Sequence, residues 1–236
     1  MNRQAQAVVL LLFGGAIVKA SVTDLYLRYV KEGLRPFLIA AGALLVAAAV
    51  MTLWYDLRHP APDDDHGHAH HEPRVGWLLI LPVLGLLLVA PPALGSYAAG
   101  QAGTVLSGQT SASDYPPLPP GDPAPVSLLD YASRAVFDEG RSLTGRTLQL
   151  TGFVTPGPDG QPMLARMVLS CCAADGRPIK VALSGDVPSG VPADTWIRVT
   201  GTYSSRTAPD AINQAAVPYL EVASWAEIPP PRQQYE

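Results

Sequence analysis

The chain is poor in thiols, in histidine outside one loop and in basic charge, and each shortage removes a class of function. Its two cysteines, Cys171 and Cys172, are adjacent. Neighbouring Cα atoms lie ~3.8 Å apart across a trans peptide, below the ~4.4 Å lower limit of ordinary disulfides, so the pair is poorly placed to act as a structural staple. The spaced Cys-x-x-Cys pattern of thiol oxidoreductases is missing as well. No histidine follows His71, and neither a phosphate-cradling glycine loop nor a Ser/His/Asp constellation is present, so the sequence reads as a non-enzyme. Residues 101–236 carry nine Lys/Arg against thirteen Asp/Glu. Binding of single-stranded nucleic acid needs a basic groove, and this acidic balance argues against such a partner.

What the chain does have is apolar length, concentrated in its first hundred residues. Pro36 to Tyr55 is an uncharged run bracketed by Arg35 and Asp56, and at ~1.5 Å per helical residue it crosses a ~30 Å hydrocarbon layer. Gly76 to Ala99 is also uncharged, with Trp77 suited to the headgroup level, although Pro82 and Pro91-Pro92 bend or end that span early. Gln4 to Val18 makes a first span only by taking in Lys19, whose ammonium either snorkels to the interface or, with Thr23 and Asp24, faces a partner or an aqueous path. No small-x-small cleavage pattern follows that run, which sets a removed signal peptide aside. Three transmembrane helices are thus expected. No lysine or arginine occurs from Val75 through Ser133, which places the following domain outside the cytoplasm, whereas Arg28, Lys31 and Arg35 in the first connection argue the other way.

The loop between the second and third runs holds every histidine: His59, His66, His68, His70 and His71, with Asp63, Asp64, Asp65 and Glu72 among them. Imidazoles are the usual nitrogen ligands of zinc and related divalent ions, and the carboxylates add hard oxygens. Because no rigid element fixes four ligands, the loop reads either as a low-specificity metal collector built on His66, His68, His70 and His71 or as a solvated connection. Beyond the third run, 101–125 is Gly/Ser-rich and then Pro-rich, the composition of a flexible tether with a stiff polyproline end.

From Val126 the pattern becomes that of a folded domain. Ser127 to Phe137 has apolar residues at helical spacing behind a serine cap. Five strand-like runs follow, Thr147–Val154, Met163–Ser170, Pro178–Leu183, Trp196–Tyr203 and Tyr219–Ile228, punctuated by turns such as Ala174-Asp-Gly176. That count suits a small closed OB-like β-barrel, giving an α+β chain of membrane region 1–100, linker 101–125 and barrel 126–236. Alternation in Trp196–Tyr203 puts Ile197, Val199 and Gly201 on the core face and Trp196, Arg198, Thr200 and Thr202 on the other.

Within the barrel, Cys171, Cys172 and Asp175 form the chemical candidate; the alternative is that two small thiols simply fill space. Two sulfurs and a carboxylate suit zinc or copper(I), and Arg166, Arg177 or Lys180 would favour the thiolate. On a regular strand adjacent side chains oppose each other, so both sulfurs reach one ion only if the backbone bends, for which Asp175-Gly176 supplies a turn. In an oxidising compartment a strained vicinal disulfide would act as a switch instead.

The order of apolar segments, the histidines at 66–71, Gly152-Phe-Val154, the Arg166–Asp175 segment with its Cys-Cys-Ala-Ala-Asp run, and Thr195–Gly201 together resemble the YcgQ-like two-component permease subunits, bacterial membrane proteins with a carboxy-terminal domain of unknown function. The departures are the Pro-rich tether and the scarcity of lysine. The resemblance implies an accessory subunit of a polytopic permease that assists transport of an ion or small solute. A metal-binding or metal-sensing membrane protein acting through the histidine loop and Cys171/Cys172 is the alternative from a different class.

Overall fold

The computed structural model describes residues 3–59, 81, 85, 89, 91–108, 115–158 and 160–236, which divide into two compact units, Met1–Pro92 and Ala93–Glu236. In the first, α1 (Arg3–Val22) and α2 (Arg35–Arg58) are joined by two short 3-10 turns, Leu25–Arg28 and Glu32–Leu34. Pro36 sits in the first turn of α2, where its missing N–H costs nothing. The helices run antiparallel and touch along small residues spaced by sevens: Ala7, Gly14 and Ser21 on α1, Gly42 and Ala49 on α2 are all buried. A seven-residue period keeps one stripe facing its partner, and small side chains let the backbones close in. A Cβ on Gly14 would stand 2.8 Å from the Gly42 carbonyl oxygen, and one on Gly42 2.8 Å from Val18 Cγ2, so only glycine fits at the crossing.

Among the described residues, α1 and α2 are the two helices long and apolar enough to cross a membrane, with mean hydropathy 1.9 over Ala5–Val22 and 2.3 over Glu32–Arg58. Only 17% and 11% of those windows are buried, whereas the core helix of a water-soluble protein would be mostly covered; Phe37, Leu44, Met51 and Leu57 all face outward. Lys19 lies in the last turn of α1 with its side chain exposed. The third crossing expected over Gly76–Ala99 falls mostly outside the described residues; at its far end Pro91–Gly95 is not helical, and α3 (Ser96–Gln101) is a separate short helix of the second unit.

In the second unit β1 (Ala124–Pro125) leads into α4 (Leu128–Phe137), followed by β2 (Thr147–Pro156), β3 (Pro162–Val168), β4 (Arg177–Gly185), β5 (Trp196–Pro209) and β6 (Ala216–Glu227). Ser127 caps α4 by accepting the Asp130 N–H, as the serine before the apolar run predicts. The strands run in the order β1-β2-β3-β4-β6-β5, and β2 pairs again with β5, closing five of them into a barrel. Pairing is antiparallel except for β4 with β6 and β1 with β2. Closure gives each of the five strands β2 to β6 a neighbour on both sides, with the two-residue β1 appended to β2. The barrel interior holds Leu148, Leu150, Leu164, Ile179, Val181, Ile197, Val199 and Leu220, and α4 covers it with Leu128, Tyr131, Ala132 and Ala135.

A second, smaller core lies outside the barrel wall. Phe153, Ala165, Met167, Leu169 and Trp196 are covered there by Ala99 of α3, by Leu94 and by Tyr235 of the carboxy-terminal tail. Trp196 does sit on the face opposite Ile197, as its alternation requires, yet it is only 7% exposed because that face is covered at this end. Parts of the segment read from composition as a spacer also lie against the barrel. Leu106 and Ala124 are buried in the main core with Leu118 packed against it. The Ala102 and Thr104 carbonyls accept hydrogen bonds from Lys180 Nζ and Asn213 Nδ2, and the Pro116 carbonyl accepts one from Arg134, whose guanidinium faces Tyr115.

The Lys180–Asp210 ion pair, 2.8 Å long with side chains 6% and 1% exposed, ties β4 to the β5–β6 turn. Burial works to raise the Asp210 carboxyl, but the hydrogen bonds from Lys180 and from the Ile212 and Asn213 N–H groups hold it below the usual carboxylate range. Removing one partner of a buried pair leaves an uncompensated charge, so Lys180→Met should destabilise the full-length protein in detergent by about 3–5 kcal/mol, and adding Asp210→Asn should recover most of the loss. Because the folded-state carboxyl is depressed, the pair's contribution is complete above ~pH 4 and fades as pH falls through the folded value. Unfolding curves at pH 7 and about pH 2 should therefore show the gap between wild type and Lys180→Met narrowing at the lower pH, with little change between pH 7 and about pH 4.

Candidate functional site

The β3–β4 connection is built around one carboxylate. At Leu169 the chain is still extended and buried, its N–H donating to the Glu236 carbonyl of the tail. It then turns, because Asp175 Oδ1 accepts the Ser170 N–H at 2.8 Å while Oδ2 accepts the Cys171 and Cys172 N–H groups at 2.8 and 3.2 Å. A 3-10 turn, Ala173–Asp175, completes the loop with the Asp175 N–H on the Cys172 carbonyl. Gly176 is required where the loop folds onto the outer core: a Cβ there would come 2.6 Å from Leu94 Cδ1.

This bend removes the alternation that would hold two neighbouring thiols apart. The ligating atoms of Cys171, Cys172 and Asp175 all lie within 4.8 Å of one another, with Cys171 exposed and Cys172 and Asp175 half-buried. Both cysteines are free thiols. The three residues singled out in the sequence are therefore brought together, and they could hold a metal ion. The four loop histidines, His66, His68, His70 and His71, lie outside the described residues.

The electrostatics run against the expectation that basic neighbours make a thiolate. Arg166 is turned to the tail, donating to the Gln233 and Gln234 carbonyls and pairing with Glu236, and Lys180 is committed to Asp210. What the Cys171 thiol meets is Asp175. The hydrogen bond to that carboxylate, then the one with Cys172, burial and the negative charge push the Cys171 thiol up to about 11. Conversely the Cys171 thiol and the surrounding backbone N–H groups hold Asp175 down to about 2. A charge-accepting loop that stabilises an anion at one oxygen pair thereby suppresses a second anion beside it.

Sequence reasoning missed one concave feature of the barrel. A cleft of about 540 Å³ opens between the β2–β3 turn and residues Pro209–Ile212, with Lys180, Ala182 and Tyr219 along it and the Arg206 guanidinium 4.3 Å over the Tyr219 ring. Its walls come from separate stretches of the chain, Gly100 and residues within 156–163, 180–187 and 206–219. No local pattern could have flagged it; only the pairing of strands brings them together.

Residues 134–236 match the family model of the DUF1980 C-terminal domain, consistent with the YcgQ-like resemblance. That range takes in all five barrel strands and the dithiol loop and leaves out the helical hairpin. No curated protein matches the chain.

Alkylation of Cys171 by iodoacetamide, followed by mass spectrometry of its peptide, should be slow at pH 8 and should climb until the pH reaches about 11. Asp175→Asn removes the charge that holds the proton on sulfur, so its rate at pH 8 should rise roughly tenfold or more. Equal rates in the two proteins would show that Asp175 does not govern the thiol. The loop itself should hold its order at every pH above ~4 and loosen as the pH falls toward the folded value of Asp175, the depressed carboxyl being the group that gathers it.

Proposed function

We propose that the protein is a multi-pass bacterial membrane protein serving as the accessory subunit of a polytopic permease, assisting passage of an ion or small solute, with its barrel on the extracytoplasmic side. Three crossings and the uncharged exit after the third apolar run underlie that topology. The observation that carries the reading is a shallow, open surface groove on the helical hairpin of about 560 Å³, lined by Gly15, Val18, Ala43, Val46, Ala47, Val50 and Met51. Gly15, Ala43 and Ala47 are exposed there and present almost no side chain. In lipid no hydrophobic force drives helices together, and association depends on close backbone approach at small residues. A groove of this kind suits a helix from a membrane-embedded partner.

The YcgQ-like resemblance supports the same reading, and the barrel adds a water-facing module to it. A second reading is favoured by the convergence of Cys171, Cys172 and Asp175 within 4.8 Å: a metal-handling membrane protein that uses this loop and the histidines at 66–71 without a permease, taking zinc or a softer ion.

Filling the groove separates the two. Overpacking a helix contact costs about 1–3 kcal/mol, so Ala43→Phe/Ala47→Phe should cut recovery of the partner permease in detergent pull-downs roughly tenfold while leaving expression and metal content unchanged. A photocrosslinker placed at Ala47 should join the protein to the permease. Crosslinks confined to the chain's own residues 76–99, with no permease recovered from wild type, would overturn the first reading.

A further inference from the structure

The Asp175 carboxylate is committed chiefly to the loop's own backbone, and what it does there is hold the bend. An ionised carboxylate offers about four lone-pair positions, and three are taken by the Ser170, Cys171 and Cys172 N–H groups, with the Cys171 thiol hydrogen-bonded to it as well. A tetrahedral ion such as zinc draws four ligands in a closed site. The described residues supply two sulfurs, one of them solvent-exposed. The two sulfurs lie within 4.8 Å of one another, close enough for a single ion to bond both.

We propose that the Cys171–Cys172 loop is a two-thiolate site for a soft, monovalent cation of the copper(I) class, in which Asp175 is a positioning residue and not a ligand. Binding forms two metal–sulfur bonds and releases both thiol protons to solvent, with no change of oxidation state. Soft thiolates select such ions over harder ones. The exposed Cys171 gives entry and exit without a channel, as suits an ion that is passed on. Because Asp175 gathers the backbone through three N–H hydrogen bonds of the loop itself, the convergence of the sulfurs is set by the loop. The proposal rests on this loop alone and stands or falls separately from the permease reading.

The test uses full-length protein in detergent, reduced and anaerobic, with His66, His68, His70 and His71 replaced by alanine so that the loop histidines take no metal. Copper(I) is titrated against a copper(I)-specific chelator, and protection of both thiols from iodoacetamide is read by mass spectrometry of the peptide. One equivalent should be retained, with both thiols protected. Cys171→Ser and Cys172→Ser should each weaken retention roughly a hundredfold, and Asp175→Asn, which disturbs the loop and not the ion's own shell, about tenfold. X-ray absorption should show two sulfur neighbours and no oxygen in both wild type and Asp175→Asn. The proposal is overturned if copper(I) leaves the thiols alkylatable, if the double serine variant retains it, or if an oxygen neighbour present in wild type vanishes in Asp175→Asn. One equivalent of zinc held in preference to copper(I) would overturn it equally.

Discussion

Pairing of β2 with β5, Thr147–Phe153 against Thr202–Trp196, turns an open sheet into a barrel. Without it the strands would be a ribbon with two open edges and a half-exposed apolar face. With it, Leu148, Leu150, Ile197 and Val199 face one interior, and the β3–β4 connection is displayed at an end of the wall, held against the outer core. The dithiol loop is therefore a consequence of long-range pairing as much as of its own sequence. Its sulfurs converge because the strand ends where Leu169 is pinned by the tail, and the turn starts where Asp175 collects three N–H groups.

Asp175 performs two tasks that pull in opposite directions. By accepting backbone N–H groups it makes the bend that brings the thiols together, and by sitting beside Cys171 as an anion it keeps that thiol protonated. The geometry is ready for a ligand while the Cys171 thiol stays protonated at neutral pH. Alkylation and oxidation proceed through thiolate, so the raised Cys171 thiol is disfavoured for both, while an ion that binds sulfur strongly enough to displace the proton can still enter. The helical hairpin follows a parallel logic in apolar surroundings: small residues at sevens secure α1 to α2, and a separate set of small residues at Gly15, Ala43 and Ala47 is left facing outward.

Much of the barrel is legible in local sequence pattern. The helix after Ser127 and all five strands lie where apolar spacing and turn residues place them, with ends displaced by a few residues; β5 runs on to Pro209, since a strand that pairs with β6 along its length continues past the point where alternation fades. The second core is not legible in that way. Trp196 reads as an outward-facing residue, and it is buried together with Phe153 and Met167 because α3 and Tyr235, remote in sequence, fold over them. The same holds for 101–125, whose composition is that of a spacer while Leu106, Leu118 and Ala124 join the main core and the Ala102, Thr104 and Pro116 carbonyls accept hydrogen bonds from side chains of β4, the β5–β6 turn and α4.

Sequence by itself determined the apolar hairpin, the strand pattern and the adjacency of Cys171 and Cys172, because each depends on periodicity or on neighbours within a few positions. Tertiary structure alone decided that the two sulfurs share one side, that Asp175 and not Arg166 or Lys180 sets the state of the thiol, and that a cleft opens beside Tyr219. Those outcomes depend on which distant segments meet, and burial and charge at a point in space are properties of that meeting, not of any local run of residues.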